Sequence, residues 1–128
     1  MNQVVLDSSI WIEYFRNSNT KISSQVDLLI DSGNIYVNEL ILAELVPLLK
    51  LKKQTQLIQI LESIECLELN IDWKQLIDYQ TLIIRNGIIH VGIPDLIIAQ
   101  NIIQNQTTLF TLDKHFKLMS KFIKLNLY

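Results

Sequence analysis

The sequence has 128 residues, of which 49% are hydrophobic, and its formal net charge is −2 at pH 7. This length favours one domain over residues 1–128, with enough apolar side chains for a buried core. No apolar stretch is long and uncharged enough to cross a membrane, and no signal-peptide pattern is present, so we expect a cytoplasmic protein. The single Cys66 excludes an internal disulfide and a multi-cysteine metal site, and we expect it to be buried.

Taken in chain order, the sequence predicts strands that alternate with helices. Short β-branched or alternating runs predict five strands, at residues 3–6, 35–37, 66–69, 108–112 and 122–127. Apolar residues at helical spacing predict helices between and after them, at residues 8–15, 21–33, 39–50, 52–64, 72–87, 94–106 and 114–121. This alternation implies an α/β fold, in which a parallel sheet is covered by helices on both faces.

Capping signals mark the ends of several of these helices. They are, in chain order, Ser8 or Ser9 as the first N-cap, Gly33 as a helix end, Asn38 as an N-cap, Asp72 as an N-cap with Gln75 completing a capping box, Gly87 as a terminator and Pro94 in a first turn. The helix over residues 39–50 is apolar nearly all round, so we expect it to be largely buried. Pro47 predicts a kink near its middle.

Four acidic residues fall where the carboxyl edge of such a sheet would lie. Asp7 follows the first strand, Asp113 follows the fourth, and Asp95 begins a helix that leads down to the fourth strand. Glu44 lies one to two turns into an otherwise apolar helix, where an unpaired charge is costly. Each aspartate also has an ordinary structural explanation, as a turn residue or as an acid in the first turn of a helix.

Together, the four acids indicate more than each does alone. Carboxylates packed together repel one another unless a divalent cation neutralises them. Oxygen ligands without cysteine suit Mg²⁺ or Mn²⁺, which can activate a water and offset charge on a phosphodiester. Leaving four carboxylates out of the count changes the net charge from −2 to +2, so the overall charge does not exclude a nucleic-acid substrate.

Four motifs, in order, resemble those of the PIN domain family, and in particular its VapC-type toxins. "VVLDSSIWIEYF" is similar to the opening strand, acid and hydroxyl of that family, and "NELILAEL" to its second-acid helix. "GIPDLIIAQNI" resembles the third-acid helix, and "LFTLDKHF" the closing segment with threonine, aspartate and phenylalanine. These motifs span nearly the whole chain.

The resemblance implies a Mg²⁺- or Mn²⁺-dependent endoribonuclease on a three-layer α/β/α fold, with five parallel strands in the order 3-2-1-4-5. Carried over residue by residue, the catalytic and metal-binding acids are Asp7, Glu44, Asp95 and Asp113. Ser9 and Thr111 match hydroxyl positions beside two of these acids, where they would orient carboxylates or water. Proteins of this type form homodimers and are inhibited by a cognate antitoxin.

Other charged residues near these motifs have two interpretations each. Lys114, Lys117 and Lys121 follow the last acid on one helix and could contact RNA phosphates, although a solvated helix face would explain them equally well. His90 and His115 could be metal ligands or bases, but a structural position is favoured for both.

Three rival classes fit the sequence less well. A phosphoacceptor receiver domain needs an aspartate at the end of the third strand, where Asp72 is better explained as a helix cap, and a lysine at the end of the fifth, which here ends in "KLNLY". A haloacid-dehalogenase-like phosphatase needs an acid where Ser9 stands. An RNA-binding PIN domain without catalysis would have no need for all four acids.

Overall fold

The computed structural model describes residues 3–128 and has the predicted α/β class. Its strands are β1 (Val4–Leu6), β2 (Ile35–Val37), β3 (Glu65–Cys66) and β4 (Thr108–Phe110). Its helices are α1 (Ser8–Arg16), α2 (Thr20–Ser32), α3 (Glu39–Leu51), α4 (Thr55–Ser63), α5 (Trp73–Arg85), α6 (Ile93–Gln104) and α7 (Lys114–Met119). None of the helices within this range is long and apolar enough to cross a bilayer.

The four strands form a parallel sheet in the order β3-β2-β1-β4. β1 is one of the two internal strands, and it pairs with β2 on one side and with β4 on the other. Its three side chains, Val4, Val5 and Leu6, are at most 1% exposed, as expected for a β-branched strand covered on both faces. This order makes β1 and β4 neighbours, so the residues that follow them meet at one edge.

The predicted fifth strand, residues 122–127, is wrong as an element. Only Leu127 bridges to Leu109 of β4, in the parallel sense and at the position that a fifth strand would occupy. The N–H group of Leu125 donates to the carbonyl of Ile123 at 2.8 Å, and this local turn takes the backbone out of the ladder. The segment still covers the sheet edge, because Ile123 and Leu125 are buried.

The third strand and Cys66 also differ from the prediction. The strand is two residues long, Glu65–Cys66, and lies at the edge of the sheet, where only β2 pairs with it. Edge strands are often short, since one side of the backbone has no partner. Cys66 is exposed instead of buried, as is the other residue of β3.

Helix α3 is less buried than its composition predicts. Ile41, Leu45 and Leu49 face the core, whereas Leu48 and Leu51 are 51% and 83% exposed. Helix α3 packs against α1, α4 and α6, and apolar residues on the face turned away from them remain in contact with solvent. The predicted N-cap is confirmed, as the side chain of Asn38 accepts the Ile41 N–H at 2.9 Å.

The predicted capping box of α5 is replaced by a tertiary contact. Asp72 caps the helix as predicted, accepting the Gln75 N–H at 3.1 Å. The Asp72 N–H, however, donates to the side-chain oxygen of Gln100 on α6 at 3.1 Å. Gln100 also donates to the Asp72 carbonyl and to the Gln75 side chain, at 3.0 and 2.8 Å. The buried Gln100 thus attaches the start of α5 to α6.

Two other predicted helix signals are confirmed. Gly33 ends α2 with a left-handed backbone, φ 72°, which glycine adopts without strain. Pro94 lies in the first turn of α6, where the missing N–H group has no helical partner to lose. Because Pro94 fixes the start of α6, it also fixes the position of the acid that follows it.

Candidate active site

Two of the predicted acids lie side by side at the carboxyl edge of the sheet. Asp7 follows β1 directly, and its N–H donates to the carbonyl of Phe110, the last residue of β4, at 3.2 Å. Asp113 lies three residues beyond Phe110, where it is the N-cap of α7. The parallel pairing of β1 with β4 therefore brings these two carboxylates to the same edge.

Asp7 is held by hydrogen bonds on both of its carboxylate oxygens. The Ser9 hydroxyl donates to Oδ1 at 2.5 Å, the Ile10 N–H donates to the same oxygen at 3.2 Å, and the Thr111 hydroxyl donates to Oδ2. Ser9 also accepts the Leu112 N–H at 2.9 Å. The two hydroxyls predicted to orient an acid therefore both contact Asp7, and Ser9 joins the start of α1 to the loop after β4.

The contact with Ile10 changes one sequence prediction. Asp7, and neither Ser8 nor Ser9, is the N-cap of α1. Because α1 begins at Ser8, Ser9 lies inside the helix and not at its cap position, and its hydroxyl contacts Asp7 and Leu112 instead. Asp7 consequently has a structural role in starting α1 as well as a position in the acidic site.

The pKa values of three acids show that their charges act on one another. Burial raises the pKa of Asp7, which is 3% exposed, and the Asp113 carboxylate raises it further against the opposing hydrogen bonds. Burial also raises the pKa of Asp95, followed by the negative charge of Asp113. Glu44 is exposed, but partial burial of its carboxylate also raises its pKa, and the charges of Asp95 and Asp7 add to this.

The tightest cluster of possible metal ligands joins two of the predicted acids to a histidine. One ligand atom each from Asp95, Asp113 and His115 lies within 4.8 Å of the other two, and all three residues are half-buried. Among residues 3–128, Asp7 and Glu44 are not members of this closer group. Both residues interact with this group through charge: Asp7 raises the pKa of Asp95, and Asp95 raises the pKa of Glu44.

His115 is the site residue that sequence reasoning set aside. Its Nδ1 lies 3.3 Å from Asp113 Oδ1, and its N–H donates to that same oxygen at 2.9 Å. The signal was its place two residues after a predicted ligand, in the first turn of α7. His90 lies elsewhere, in the exposed link before α6, with φ 98°.

The lysines predicted as RNA contacts are placed next to the cluster in sequence and face solvent. Lys114 and Lys117 are exposed on α7, and Lys121 is exposed just beyond its end. None of them is among the groups that shift the pKa values of Asp7, Glu44 or Asp95. These lysines therefore do not compensate the charges of the three acids, whereas His115 lowers the pKa of Asp95.

The donor chemistry of the site fits a hard divalent cation. Three carboxylates have raised pKa values, which means that their charged forms are unfavourable in the protein alone. Asp95 and Asp113 offer two carboxylates to one ion, with Asp7 and Glu44 close enough to act on Asp95 by charge, and carboxylate oxygens are the ligands that Mg²⁺ and Mn²⁺ prefer. A bound cation would reverse the unfavourable charge interactions.

The fold and the site define an α/β protein with an acidic cluster at the carboxyl edge of a parallel sheet. Residues 4–121 match the PIN domain family. Because the match covers most of the chain, this protein belongs to the PIN domain family, which confirms the resemblance found in its motifs. No curated protein matches its sequence.

Several solved structures share the fold at low sequence identity. VapBC2 from Rickettsia felis, bound to a DNA fragment from its promoter, has a TM-score of 0.77 and 22% identity, over 98% of this chain and 96% of that chain. DNA-bound VapBC from Salmonella typhimurium has a TM-score of 0.76 and 15% identity, over 100% of this chain and 98% of that chain. VapC20 from Mycobacterium tuberculosis, a sarcin-ricin loop cleaving toxin, has a TM-score of 0.62 and 10% identity, over 95% of this chain and 98% of that chain.

Proposed function

We propose that this PIN domain is a Mg²⁺- or Mn²⁺-dependent endoribonuclease that acts as the toxin of a toxin–antitoxin pair. The observation that carries the proposal is the meeting of acids at the carboxyl edge of the sheet, where Asp7 follows β1 beside the end of β4 and ligand atoms of Asp95 and Asp113 lie within 4.8 Å of each other. A cation that binds between such acids would offset their burial and their mutual repulsion. Such a cation would supply an activated water and charge neutralisation at a phosphodiester.

The residues of this chain contribute positioning and charge to that reaction. Ser9 and Thr111 hold both oxygens of Asp7, so this carboxylate presents one orientation to a ligand. The Thr111 hydroxyl also accepts the Asp113 N–H at 2.9 Å, which ties a second acid to the first. We propose that Lys114 and Lys117, exposed on the adjoining helix, contact RNA phosphates.

The partner proposals rest on the structural relatives. VapBC2 and VapBC are the subjects of two structures that share this fold, and VapC20 is described as a toxin. We therefore propose that this chain has a cognate antitoxin and cleaves RNA in the cytoplasm. Because the overall charge is −2, the whole protein does not attract RNA, and we expect local lysines and the bound cation to attract the phosphates.

We further propose that two copies pair through helix α5. Trp73, Ile77 and Ile84 are 60%, 65% and 52% exposed, although they are large apolar residues. Their spacing of four and seven residues puts them on one face of the helix, where with Ile93 they line a single groove. A contiguous apolar face of this kind favours an interface.

Charge complementarity favours a second copy of this chain as the occupant of that groove. Asp78 follows Ile77, and Arg85 follows Ile84, so an acid and a base with the same seven-residue spacing border the apolar face. An antiparallel pair of α5 helices that sets Ile77 on Ile84 of the partner subunit also brings Asp78 close to Arg85 of the partner subunit. The two-fold axis then repeats both contacts.

Cleavage of structured RNA in the presence and absence of metal tests the proposed function. We expect cleavage with Mg²⁺ or Mn²⁺ and its loss when EDTA removes the cation, because the cation supplies the activated water in the proposed mechanism. Gel analysis of end-labelled RNAs, with a calcium-only reaction as the control, would measure this. Cleavage that EDTA leaves unchanged would contradict the metal mechanism. RNA binding without cleavage would instead support the alternative of a non-catalytic PIN domain.

The charge repulsion at Glu44 predicts a stability gain on its removal. In the metal-free protein at pH 7, Glu44→Gln should raise the melting temperature by about 1–3 °C, a modest value because the side chain is solvent-accessible. A raised pKa means that the ionised form is disfavoured in the folded state. The gain should therefore disappear as the pH falls below the ordinary pKa of 4.5, where glutamate is already neutral.

Differential scanning calorimetry at pH 7 and at lower pH, in EDTA and then in Mg²⁺, would measure this effect. Saturating Mg²⁺ should reverse the order of the two proteins, because the parent gains more from binding the cation. Glu39→Gln is the matched control, since Glu39 is an exposed acid at the start of the same helix. A gain at Glu39 equal to that at Glu44 would show that the effect is not specific to the site.

A further inference from the structure

We propose that His115 is a nitrogen ligand of the cation held by Asp95 and Asp113, and that it makes the site prefer Mn²⁺ over Mg²⁺. The inference rests on the proposed metal site and adds to it a residue and a selectivity. It starts from the observation that the tightest group of ligand atoms within residues 3–128 contains an imidazole as well as two carboxylates.

The distances within this group suit neighbouring ligands of one ion. His115 Nδ1 lies 3.3 Å from Asp113 Oδ1. In an octahedral site with bonds of about 2.1 Å, adjacent ligand atoms lie about 3 Å apart. The two atoms therefore need only a small adjustment to share an ion, and the Asp95 carboxylate lies within 4.8 Å of both residues' ligand atoms.

The backbone around His115 limits where its ring can go. Its N–H donates to Asp113 Oδ1 at 2.9 Å, so the histidine and the aspartate move together. The next residue, Phe116, is 2% exposed and packs into the core, which anchors α7. The His115 side chain is 33% exposed, so an ion in solution can reach the ring.

The identity of the third donor decides which cation is favoured. Mg²⁺ prefers oxygen ligands and retains its waters, and an imidazole offers it little. Mn²⁺ is a first-row transition ion and accepts an imidazole nitrogen beside carboxylate oxygens more readily than Mg²⁺ does, although later ions of that series bind such sites more tightly. A site made of two carboxylates and one imidazole therefore discriminates between Mn²⁺ and Mg²⁺, whereas a site made of carboxylates alone does so less.

Isothermal titration calorimetry of the metal-free protein, without RNA, tests the proposal. The parent should bind Mn²⁺ more tightly than Mg²⁺. His115→Asn should weaken Mn²⁺ binding by about tenfold or more, while changing Mg²⁺ binding by about twofold at most. An asparagine N–H can still donate to Asp113 but provides no imidazole nitrogen. His90→Asn is the matched control, because asparagine tolerates the positive φ at that position.

The possible results separate a ligand role of His115 from a positioning role, and both from the proposed metal-dependent function. Equal weakening of Mn²⁺ and Mg²⁺ in His115→Ala, with recovery of both in His115→Asn, would mean that His115 only positions Asp113, and would overturn the inference. Unchanged affinities in both variants would overturn it too. If the parent bound neither ion at millimolar concentration, the proposed metal-dependent function would fail with it. Loss of the Mn²⁺ preference alone in His115→Asn would support the inference, whatever RNA the protein cleaves.

Discussion

Replacement of Asp95 by asparagine should reduce metal-dependent RNA cleavage by at least about 100-fold. Residues that merely orient metal ligands typically contribute 10- to 100-fold, so the loss of a ligand should exceed that range. Asp95 is the acid that connects the two parts of the site. It belongs to the cluster with Asp113 and His115, and its charge also acts on Glu44. Initial rates with one cleaved RNA in Mn²⁺ would measure the loss.

The same variant should remain folded, which separates catalysis from stability. Burial and Asp113 raise the pKa of Asp95, so its neutral amide should raise the melting temperature of the metal-free protein. Asp31→Asn is the matched control, because Asp31 is exposed on α2 and outside the described acidic cluster. Cleavage by Asp95→Asn at the parental rate would contradict the site assignment.

Replacement of Ile77 by glutamate should convert a dimer into a monomer. The parent should have about twice the chain mass of 14.9 kDa, and the variant the mass of one chain. Because a two-fold interface uses the same surface of both copies, one substitution introduces two glutamates into it. At about 1–2 kcal/mol for each polar group buried without a partner, the dimer Kd should rise by about 100-fold. Size-exclusion chromatography with light scattering, over a range of concentrations, would measure the masses.

Charge exchange tests the antiparallel geometry of the same interface. Asp78→Arg and Arg85→Asp should each weaken the dimer, and the double variant should restore it, because the acid and base exchange places across the axis. Leu51→Glu is the control for surface charge, since Leu51 is 83% exposed on α3, away from the α5 groove. A dimer that survives Ile77→Glu, or a parent that is monomeric, would contradict the proposed interface.

Local signals in the sequence predicted most of the fold correctly. The helical spacing around α2 and the glycine after it located both the helix and its end at Gly33. Asn38 and Asp72 were predicted as N-caps and act as such. These features depend on residues within one turn of one another, so the physical interactions that produce them are present in the sequence itself.

Predictions failed where a distant segment supplied or withheld a partner. The capping box of α5 was replaced because Gln100 reaches the Asp72 N–H from another helix. Cys66 is exposed on β3, which forms an edge of the sheet. In both cases the local pattern was sound, but the arrangement of remote segments determined the outcome. The N-cap of α1 differs for a local reason, because the helix begins at Ser8 and Asp7 precedes it.

By itself, the sequence determined the α/β class, most of the helices and the family, because periodicity, caps and motifs are local. The tertiary structure decided how the acids interact. The pairing of β1 with β4 sets Asp7 against Thr111, and α6 and α7 together place Asp95 beside Asp113 and His115. Charge interactions depend on distance in space and on burial, not on separation along the chain. For this reason the sequence predicted four acids, while the structure added the histidine.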